Sequence, residues 1–459
     1  MHKSRRERNE KRVVAMALSL MMAASMLAGC GGSKNESADT GKGSAADAAA
    51  EEGSEEKGEM KVPEEITLYT YYAENAITEV DETLKRLKEI YPDTTVNIEH
   101  RTDSDGTVLK TRASVGELPD IFECPGTLVD VFKKSKDLVI LDDAVEESGI
   151  LSKFIDGSCD AKKSEDGHFY AIDSTAPQAC LIYYNKDVFK NLNLEEPKNY
   201  DEFKEVVKAL ADSGVIPMAL FGQEKWPGLM MFDIASIGQG AYEGITGLDD
   251  GTTKITDPAY EEAAKKIEEL VSLGLVGKSA LNTNASQAYE YLAAGQAGML
   301  ISGNWFFDEM VNKGYDNLDY FRYNPFTDAG KEEETQWHMS GGTGMPDGYG
   351  VSAKGEYAEF CSKFVMDWVY IRQVVAAENG AVTALKEEVK PLKERPECFQ
   401  DYVDHIPDFK STTKFEWSLD NREVLVALED ASELLNTGSY TAADFMDTLK
   451  EQIPELLGE

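Results

Sequence analysis

The folded part of the chain opens with an alternation of strand-like and helix-like segments. β-Branched and aromatic residues fill positions 66–71 behind Pro63, which predicts a strand. Apolar residues then recur at helical spacing over 77–90, and Pro92 follows them, so this segment is predicted to be an amphipathic helix. Val96 and Ile98, on either side of Asn97, predict another strand. Strand, helix and strand in so short a stretch indicate a βαβ unit with parallel strands.

Helices dominate the middle of the chain. Apolar residues on one face predict helices over 200–211, over 258–274 and over 286–294. Asp257 and Pro258 are typical of an N-cap and a first helical position, and Ser286 is expected to open the third helix.

Short apolar strands separate these helices and complete the pattern. Strands are predicted at 119–122 and at 297–301. The last helix is predicted to begin at Thr441, with Asp444 three residues later completing a capping box. The alternation of strands and helices along the chain predicts an α/β fold.

Residues 1–29 have the pattern of a secretory signal peptide. Basic residues between positions 3 and 12 precede an apolar run of about 15 residues, whereas a membrane-spanning helix needs about 20. The run ends in Leu27-Ala28-Gly29-Cys30, which resembles the bacterial lipobox, in which the cysteine becomes the lipidated first residue of the mature protein. We therefore expect a lipid on Cys30; an uncleaved anchor is the alternative.

The segment 30–61 is predicted to be a disordered acidic linker. Ser, Ala, Gly, Glu and Asp fill it without apolar periodicity, so it cannot bury a core. A lipid on Cys30 would thus tether a globular protein to the extracellular face of the cell membrane.

Charge excludes two classes of partner. The formal net charge is −38, whereas binding to phosphate groups requires clustered Lys and Arg. We therefore expect no nucleic-acid partner, and contact with the membrane through the lipid anchor only.

Cysteine and histidine give no support for a metal or a cofactor. The six cysteines contain no CxxC pair, and the five histidines contain no HxxxH pair. Five widely spaced cysteines remain beside Cys30, an odd number that does not fit a disulfide framework. We expect neither a metal site nor a cofactor.

Five sequence blocks occur in the order in which a known family has them. They are GELPDIF at 116–122, GHFYAI at 167–172, LIYYNKDVF at 181–189, AGQAGM and GNW within 294–305, and NGAV at 379–382. Together they resemble the sugar-binding family 1 of extracellular solute-binding proteins, which contains maltose-binding protein. Asp173 and Thr383 stand where the family commonly has proline.

The resemblance implies a two-lobed α/β fold of the periplasmic-binding-protein type (type II), with the ligand in a cleft between the lobes. We expect the first lobe to comprise 62–160 plus 347–380, and the second lobe 161–346 plus 381–459. Gly341 and Gly342 would lie in a segment that crosses between the lobes, where they permit a hinge.

Aromatic residues are the first candidates for ligand contacts, since sugars offer apolar faces to flat rings. The resemblance places Trp305, Trp417 and Trp226 at positions where the family stacks on its ligand or has an aromatic loop near it. Trp337 is expected to be a surface or hinge aromatic, and Trp368 a core residue, because apolar helical positions follow it.

Polar candidates follow the predicted strands of the first lobe, where α/β sheets direct residues into a cleft. Tyr72 and Glu74 follow the first strand, and Glu123 follows the Pro-Asp strand. Asp173 follows another strand. The family uses acidic and aromatic residues at the first two of these places.

These features predict a lipid-anchored, monomeric component of an ABC importer that binds a sugar or oligosaccharide by hinge closure, with the transporter permease subunits as partners. A binding protein for a polyamine or a peptide is the alternative. A secreted glycoside-active enzyme is less favoured, since it needs two carboxylates at the scissile bond. The sequence shows no isolated acidic residue in an apolar setting that would serve as a general acid, so we expect no enzymatic activity.

Overall fold

A computed structural model of the chain describes most of the residues beyond the predicted linker. The described ranges are 60–71, 77–101, 106–159, 163–164, 166–174, 176, 178–342, 348–392 and 394–458. The predicted signal peptide, Cys30 and nearly all of the predicted linker lie outside them. Within these ranges, no helix has the length and apolar character that crossing a bilayer requires.

Strands and helices alternate along the described chain. The strands are β1 (Glu65–Thr70), β2 (Thr95–His100), β3 (Ile121–Cys124), β4 (Ala171–Ile172), β5 (Cys180–Asn185), β6 (Ile216–Ala219), β7 (Ala297–Gly303), β8 (Leu318–Tyr320), β9 (His338–Met339), β10 (Gly348–Val351) and β11 (Ser411–Thr412). The helices are α1 (Ile77–Ile90), α2 (Thr107–Val115), α3 (Gly126–Ser135), α4 (Asp142–Ser148), α5 (Lys186–Asn191), α6 (Tyr200–Ser213), α7 (Trp226–Gly238), α8 (Gly244–Asp250), α9 (Pro258–Ser272), α10 (Ala285–Ala293), α11 (Phe306–Lys313), α12 (Glu332–Thr335), α13 (Ala358–Glu378), α14 (Glu397–His405), α15 (Arg422–Asn436) and α16 (Ala442–Leu457).

A five-stranded sheet with the order β2-β1-β3-β10-β4 forms the first lobe. The first three strands run parallel, and β10 is antiparallel to both of its neighbours, so β4 points the same way as β3. Ile66, Leu68 and Ile121 face one apolar cluster. Tyr69 and Phe122, one position along their strands, face a second cluster on the other side. The sheet is therefore covered on both faces.

A four-stranded sheet with the order β6-β7-β5-β8 forms the second lobe and has a separate core. β6 and β7 are parallel, whereas β5 is antiparallel to β7 and to β8. Every residue of α7 is buried, and this helix packs against α9 and α15. The predicted α/β class is confirmed by this alternation.

Sheet membership differs from the expected lobe limits at two places. β4 pairs with β10 in the first sheet, although it lies after residue 160. Ala384, after residue 380, is buried in the core of the first lobe. Such short contacts carry no sequence signal, because only tertiary packing decides which sheet a two-residue strand joins. We propose that the chain crosses between the lobes between β4 and β5, between β9 and β10, and again between Ala384 and α14, and we call the first two connections the first and the second crossing segment.

Most predicted elements are present, with small changes at their caps. Thr441 and Asp444 form the predicted capping box. Asp257 precedes α9 as expected, but its carboxylate accepts a hydrogen bond from the Lys254 N–H rather than capping the helix. The helix predicted to open at Ser286 begins at Ala285 and is capped by Asn284. Asp, Asn, Ser and Thr can all cap the N-terminus of a helix, so the sequence alone does not decide which of them does so.

The five cysteines beyond Cys30 are all buried. They are Cys124, Cys159, Cys180, Cys361 and Cys398.

Asn185 caps α5 and has a second, buried interaction. Its side-chain oxygen accepts hydrogen bonds from the N–H groups of Asp187 and Val188, each at 3.0 Å. Its amide nitrogen donates to the Leu292 carbonyl oxygen at 2.7 Å, which joins α5 to the end of α10. The residue is 1% exposed.

We predict that Asn185→Ala lowers the free energy of unfolding by about 2–3 kcal/mol, because a cap is lost and a buried carbonyl loses its donor. Urea denaturation measures the change. Asn284→Ala is the matched control: this residue caps α10 from an exposed position, with one bond to the Gln287 N–H. The control should cost about 1 kcal/mol, and equal losses would contradict the buried role of Asn185.

Candidate functional site

Four aromatic rings from three separate segments form one cluster at the end of the second sheet. The ring centroids of Trp226, Trp305 and Trp417 lie 5.7 Å from one another in each of the three pairs. Phe415 is stacked on Trp417 at 4.6 Å with an angle of 9° between the planes, and it lies 5.1 Å from Trp305. We call these four rings the tryptophan platform.

The members of the tryptophan platform differ in exposure. Trp226 is 7% exposed and Phe415 is fully buried, whereas Trp305 and Trp417 are partly exposed. The ring of Trp305 folds back over Gly303, where a side chain would collide with it. Two buried rings thus support two rings that have free surface.

Local structure brings the rings together. Trp305 follows the carboxyl end of β7, and Trp226 begins α7 with Pro227 immediately after it. Trp417 lies in a short 3₁₀ helix, 416–418, that begins just after Phe415. Because β6 and β7 are parallel, the segments after both strands emerge at the same edge of the sheet.

Hydrogen bonds fix one ring and leave another without a partner. The Trp226 indole N–H donates to Glu224 at 3.1 Å. The Trp417 indole nitrogen is buried, and no acceptor for it exists among the described residues. Glu416 beside it is 6% exposed, and burial raises the pKa of its carboxyl group well above the ordinary value. An acid group whose ionised form is disfavoured therefore lies next to the platform.

Glu123 lies near the carboxyl end of β3 and connects the ends of three strands of the first sheet. We call this end the polar edge of the first sheet. One carboxylate oxygen accepts hydrogen bonds from the Tyr71 N–H at 2.9 Å and from the Thr70 hydroxyl at 3.3 Å. The other oxygen lies 3.4 Å from the guanidinium group of Arg101. The carboxylate thus holds together the ends of β1, β2 and β3.

Asp173 begins the first crossing segment and belongs to a charged group around Arg372. The Arg372 guanidinium donates to Glu79 at 2.9 Å and lies 3.8 Å from Asp173. It also lies 5.8 Å from the ring centroid of Tyr349. Arg372 therefore joins α13, α1 and the crossing segment at the same edge of the sheet.

Asp308 lies in the first turn of α11, three residues after Trp305, and it interacts electrostatically with Glu79. Burial raises the pKa of Asp308 to about 7; the negative charge of Glu79 acts in the same direction, and the positive charge of Arg395 opposes it. Glu79 belongs to the first lobe. The charge of a residue in the first lobe thus acts on an acid group in the second lobe, and the two residues are far apart in sequence.

Asp233 is a fully buried carboxylate below the platform. It accepts hydrogen bonds from the Thr413 hydroxyl at 2.5 Å, the Ser340 hydroxyl at 2.7 Å and the Ile245 N–H at 2.7 Å. Burial raises the pKa of Asp233 to about 6, although these hydrogen bonds favour the ionised form. The group links α7 to the second crossing segment.

The structure brings Trp226, Trp305 and Trp417 into one cluster, and it places Glu123 and Asp173 at the edge of the other sheet. The first crossing segment runs from the end of β4 to the start of β5, so these two edges lie on either side of it. Tyr72 and Glu74 lie outside the described residues.

Sequence reasoning missed Phe415, Arg372 and Asp308. Phe415 had one signal, which is that it stands only two positions before Trp417 in the sequence. Arg372 and Asp308 had no comparable signal, because their partners are remote in the chain.

The two remaining tryptophans lie away from the platform. Trp368 is fully buried in the first lobe, as expected. Trp337 has a left-handed backbone with φ of 66° and stacks on His405 at 4.5 Å and on Phe409 at 6.2 Å. A bulky residue rarely adopts this conformation.

Known proteins resemble the chain over most of its length. The sequence pattern of the family described as bacterial extracellular solute-binding protein matches residues 70–370. An uncharacterised ABC transporter extracellular-binding protein of Pyrococcus horikoshii is 23% identical over 56% of this chain and 59% of its own length. A multiple sugar-binding protein of Streptococcus mutans is 24% identical over 63% of this chain and 69% of its own length. The chain thus spans less than two thirds of the Pyrococcus protein.

Solved structures share the fold. A chitin oligosaccharide binding protein has a TM-score of 0.72 and 23% identity, covering 86% of this chain and 99% of its own. A solute-binding protein in complex with raffinose has a TM-score of 0.65 and 19% identity, covering 85% and 99%. A protein from work on xylan utilisation by Caldanaerobius polysaccharolyticus has a TM-score of 0.72 and 20% identity, covering 85% and 100%.

We predict that Asp233→Asn changes the pH dependence of stability in one direction. The folded pKa, about 6, lies above the value of 3.8 for an exposed group, so the unfolded chain ionises first as the pH rises. The stability of the native protein relative to the variant should therefore fall between about pH 4 and pH 6, by on the order of 3 kcal/mol, and stay constant at higher pH. Urea denaturation of both proteins measures it, and a difference independent of pH would contradict the assignment.

Proposed function

The chain belongs to the family of bacterial extracellular solute-binding proteins, and we propose that it captures a sugar or oligosaccharide by hinge closure and delivers it to an ABC-type importer. A sugar has apolar C–H faces and a belt of hydroxyl groups, so its site needs flat rings and polar side chains. The tryptophan platform and the polar edge of the first sheet provide these two chemistries on opposite sides of the crossing segments.

One observation carries the proposal: Trp226, Trp305 and Trp417 converge from segments far apart in sequence. Isolated core packing would bury all three rings, yet Trp305 and Trp417 keep exposed surface. Exposed aromatic surface in a cluster is costly in water and is typical of a binding site. The buried Trp417 indole N–H also lacks an acceptor among the described residues, and such a cost is typical of a functional site.

The arrangement of the rings favours a sugar over a polyamine. Aromatic cages for cations surround their guest. Here the centroids within the tryptophan platform are 4.6–6.2 Å apart, so the rings pack on one another and leave no room for a guest between them. They offer a surface on which a sugar ring can lie. Acidic groups at the facing edge still favour a cation electrostatically, which is why a polyamine belongs in the test.

The names of similar proteins support the same ligand class. The Streptococcus mutans relative is named a multiple sugar-binding protein, and structural neighbours are described with a chitin oligosaccharide and with raffinose. The proposed site residues are Trp305, Trp417, Trp226, Glu123 and Asp173, together with Tyr72 and Glu74.

Hinge closure is supported by the separate cores of the two lobes. Each sheet has its own buried cluster, and the chain crosses between them in short segments. Asp308 of the second lobe is already within electrostatic range of Glu79 of the first. Rotation about the crossing segments would move the lobes as rigid bodies around a ligand.

A glycoside-active enzyme is the second candidate, favoured by Asp308. Its raised pKa and its nearness to Glu79 resemble the paired carboxylates of glycosidases. Glu79, however, is hydrogen-bonded to Arg372, which favours a structural role. We therefore propose binding without catalysis.

We also propose that the protein is a monomer held at the extracellular face of the cell membrane by a lipid on Cys30. The short apolar run before this cysteine and the acidic segment after it support this anchoring. The importer's permease subunits would be its partners.

We predict that a neutral oligosaccharide raises the melting temperature, and that Trp305→Ala abolishes this rise while the protein stays folded. A ligand that binds the folded state stabilises it by mass action. The thermal-shift panel contains raffinose, a chitin oligosaccharide, a xylan oligosaccharide and spermidine.

Trp337→Ala is the matched control, since Trp337 is also partly exposed in the second lobe but lies outside the tryptophan platform. It should keep the ligand-induced rise. A rise with spermidine alone would replace sugar by polyamine, and hydrolysis of a labelled oligosaccharide would support the enzyme.

We predict that Cys30→Ser releases the protein from the membrane fraction, because the thiol that carries the lipid is absent. Fractionation of cells expressing either form, followed by immunoblotting, measures the release. A variant that still sediments with membranes would indicate an uncleaved anchor, and the proposal for Cys30 would be withdrawn.

A further inference from the structure

Phe415 is the member of the tryptophan platform that has no surface for a ligand. It is fully buried, stacked on Trp417 at 4.6 Å, and lies 5.1 Å from Trp305 and 6.2 Å from Trp226. Any change in its position must therefore move the two partly exposed rings, because close-packed side chains leave no free space for independent movement.

Phe415 also contacts Gly341, a glycine of the second crossing segment. Gly341 has a left-handed backbone with φ of 66°. A Cβ atom at this position would lie 2.7–2.9 Å from three atoms of the Phe415 ring. The ring and the crossing segment are thus in direct contact, and glycine permits both the backbone conformation and the close approach.

Hydrogen bonds fix the same junction. The Thr413 hydroxyl donates to Asp233 at 2.5 Å and accepts from the Gly341 N–H at 2.9 Å. The Ser340 hydroxyl donates to the same carboxylate. The segment that carries Phe415 is therefore bound directly to Gly341 and, through Asp233, to Ser340.

The first crossing segment is tied to this junction as well. The Cys180 N–H, at the start of β5, donates to the Ser340 carbonyl oxygen at 2.6 Å. Two of the proposed connections between the lobes thus meet at Ser340, which Asp233 holds to the second lobe. Because Ser340 is held to the second lobe, any bending of these two connections would occur on the side of Ser340 that is nearer to the first lobe.

We propose that Phe415 is a positioning residue that couples the tryptophan platform to the crossing segments. A ligand lying on Trp305 and Trp417 would shift the Phe415 ring, and the ring would in turn displace Gly341. This rests on the proposed function, because it concerns the same ligand and the same hinge. A rigid ring between the platform and the segment transmits small displacements, since packed elements have few alternative arrangements. Phe415 acts through its neighbours and makes no contact with the ligand itself.

The test compares two glycines with similar backbone strain. Gly341→Ala forces the Phe415 ring to shift, whereas Gly214→Ala at φ of 83° finds nothing within 4 Å and lies at the opposite end of β6. Both variants should lose some thermal stability. We expect Gly341→Ala to weaken binding of the best sugar of the thermal-shift panel roughly tenfold, to shift the tryptophan fluorescence of the ligand-free protein, and to reduce the ligand-induced decrease in radius of gyration. Gly214→Ala should change none of these three.

A second pair keeps the test open if Gly341→Ala does not fold. Thr413→Val removes the hydroxyl that joins Asp233 to Gly341, and Thr413→Ser restores it. Weaker binding in the valine variant that serine rescues would support the coupling. Native affinity and native compaction in folded Gly341→Ala or Thr413→Val would overturn it. If the unmodified protein binds no sugar of the panel, the proposed function fails instead; the fluorescence shift in the ligand-free Gly341→Ala protein still reports on the contact.

Discussion

Separate hydrophobic cores for the two sheets are the constraint on which the rest of the structure depends. The buried apolar residues around β5 and β7 form one cluster, and those on the two faces of the β1–β3 sheet form others. Apolar burial is the main favourable term in folding, so each lobe can hold its own shape. At the second lobe, hydrogen bonds hold the described ends of two of the proposed crossings, since Ser340 is bound to Asp233 and to the Cys180 N–H. Separate cores joined by a few crossings would support the proposed hinge closure.

The edges that meet across the crossing segments carry groups that folding alone does not favour. Trp305 and Trp417 keep aromatic surface in contact with water, and the Trp417 indole N–H is buried without an acceptor among the described residues. Glu416 and Asp308 have pKa values raised by burial, which shows that their ionised forms are disfavoured. Such costs concentrate where a protein binds or reacts. The polar edge of the first lobe differs, since Glu123 is paired with Arg101, and Arg372 is paired with Glu79 and lies near Asp173.

Asp233 connects Ser340 of the second crossing segment to Thr413, which lies two residues before Phe415 of the platform. A buried carboxylate is expensive in a low-dielectric interior unless it is hydrogen-bonded, and here three donors compensate it in part. Those donors come from α8, from the crossing segment and from the loop that leads to Phe415. Asp233 therefore fixes the position of the segment that carries Phe415 relative to Ser340 and α8. Hydrogen bonds are directional, so an apolar residue of similar size could not define this arrangement.

The sequence by itself determined the elements and the family. Apolar periodicity and caps are local properties, so α1, α6, β7 and the capping box of α16 were predictable within a few residues. The order of short blocks identified the solute-binding family, and the sequence singled out the three tryptophans that the structure brings into one cluster. Tertiary structure alone decided that their rings touch one another, that β4 joins the first sheet, and that Phe415, Asp308 and Asp233 acquire their settings. The physical reason is that packing, burial and charge proximity depend on residues far apart in the chain, and no local pattern encodes which of them will meet.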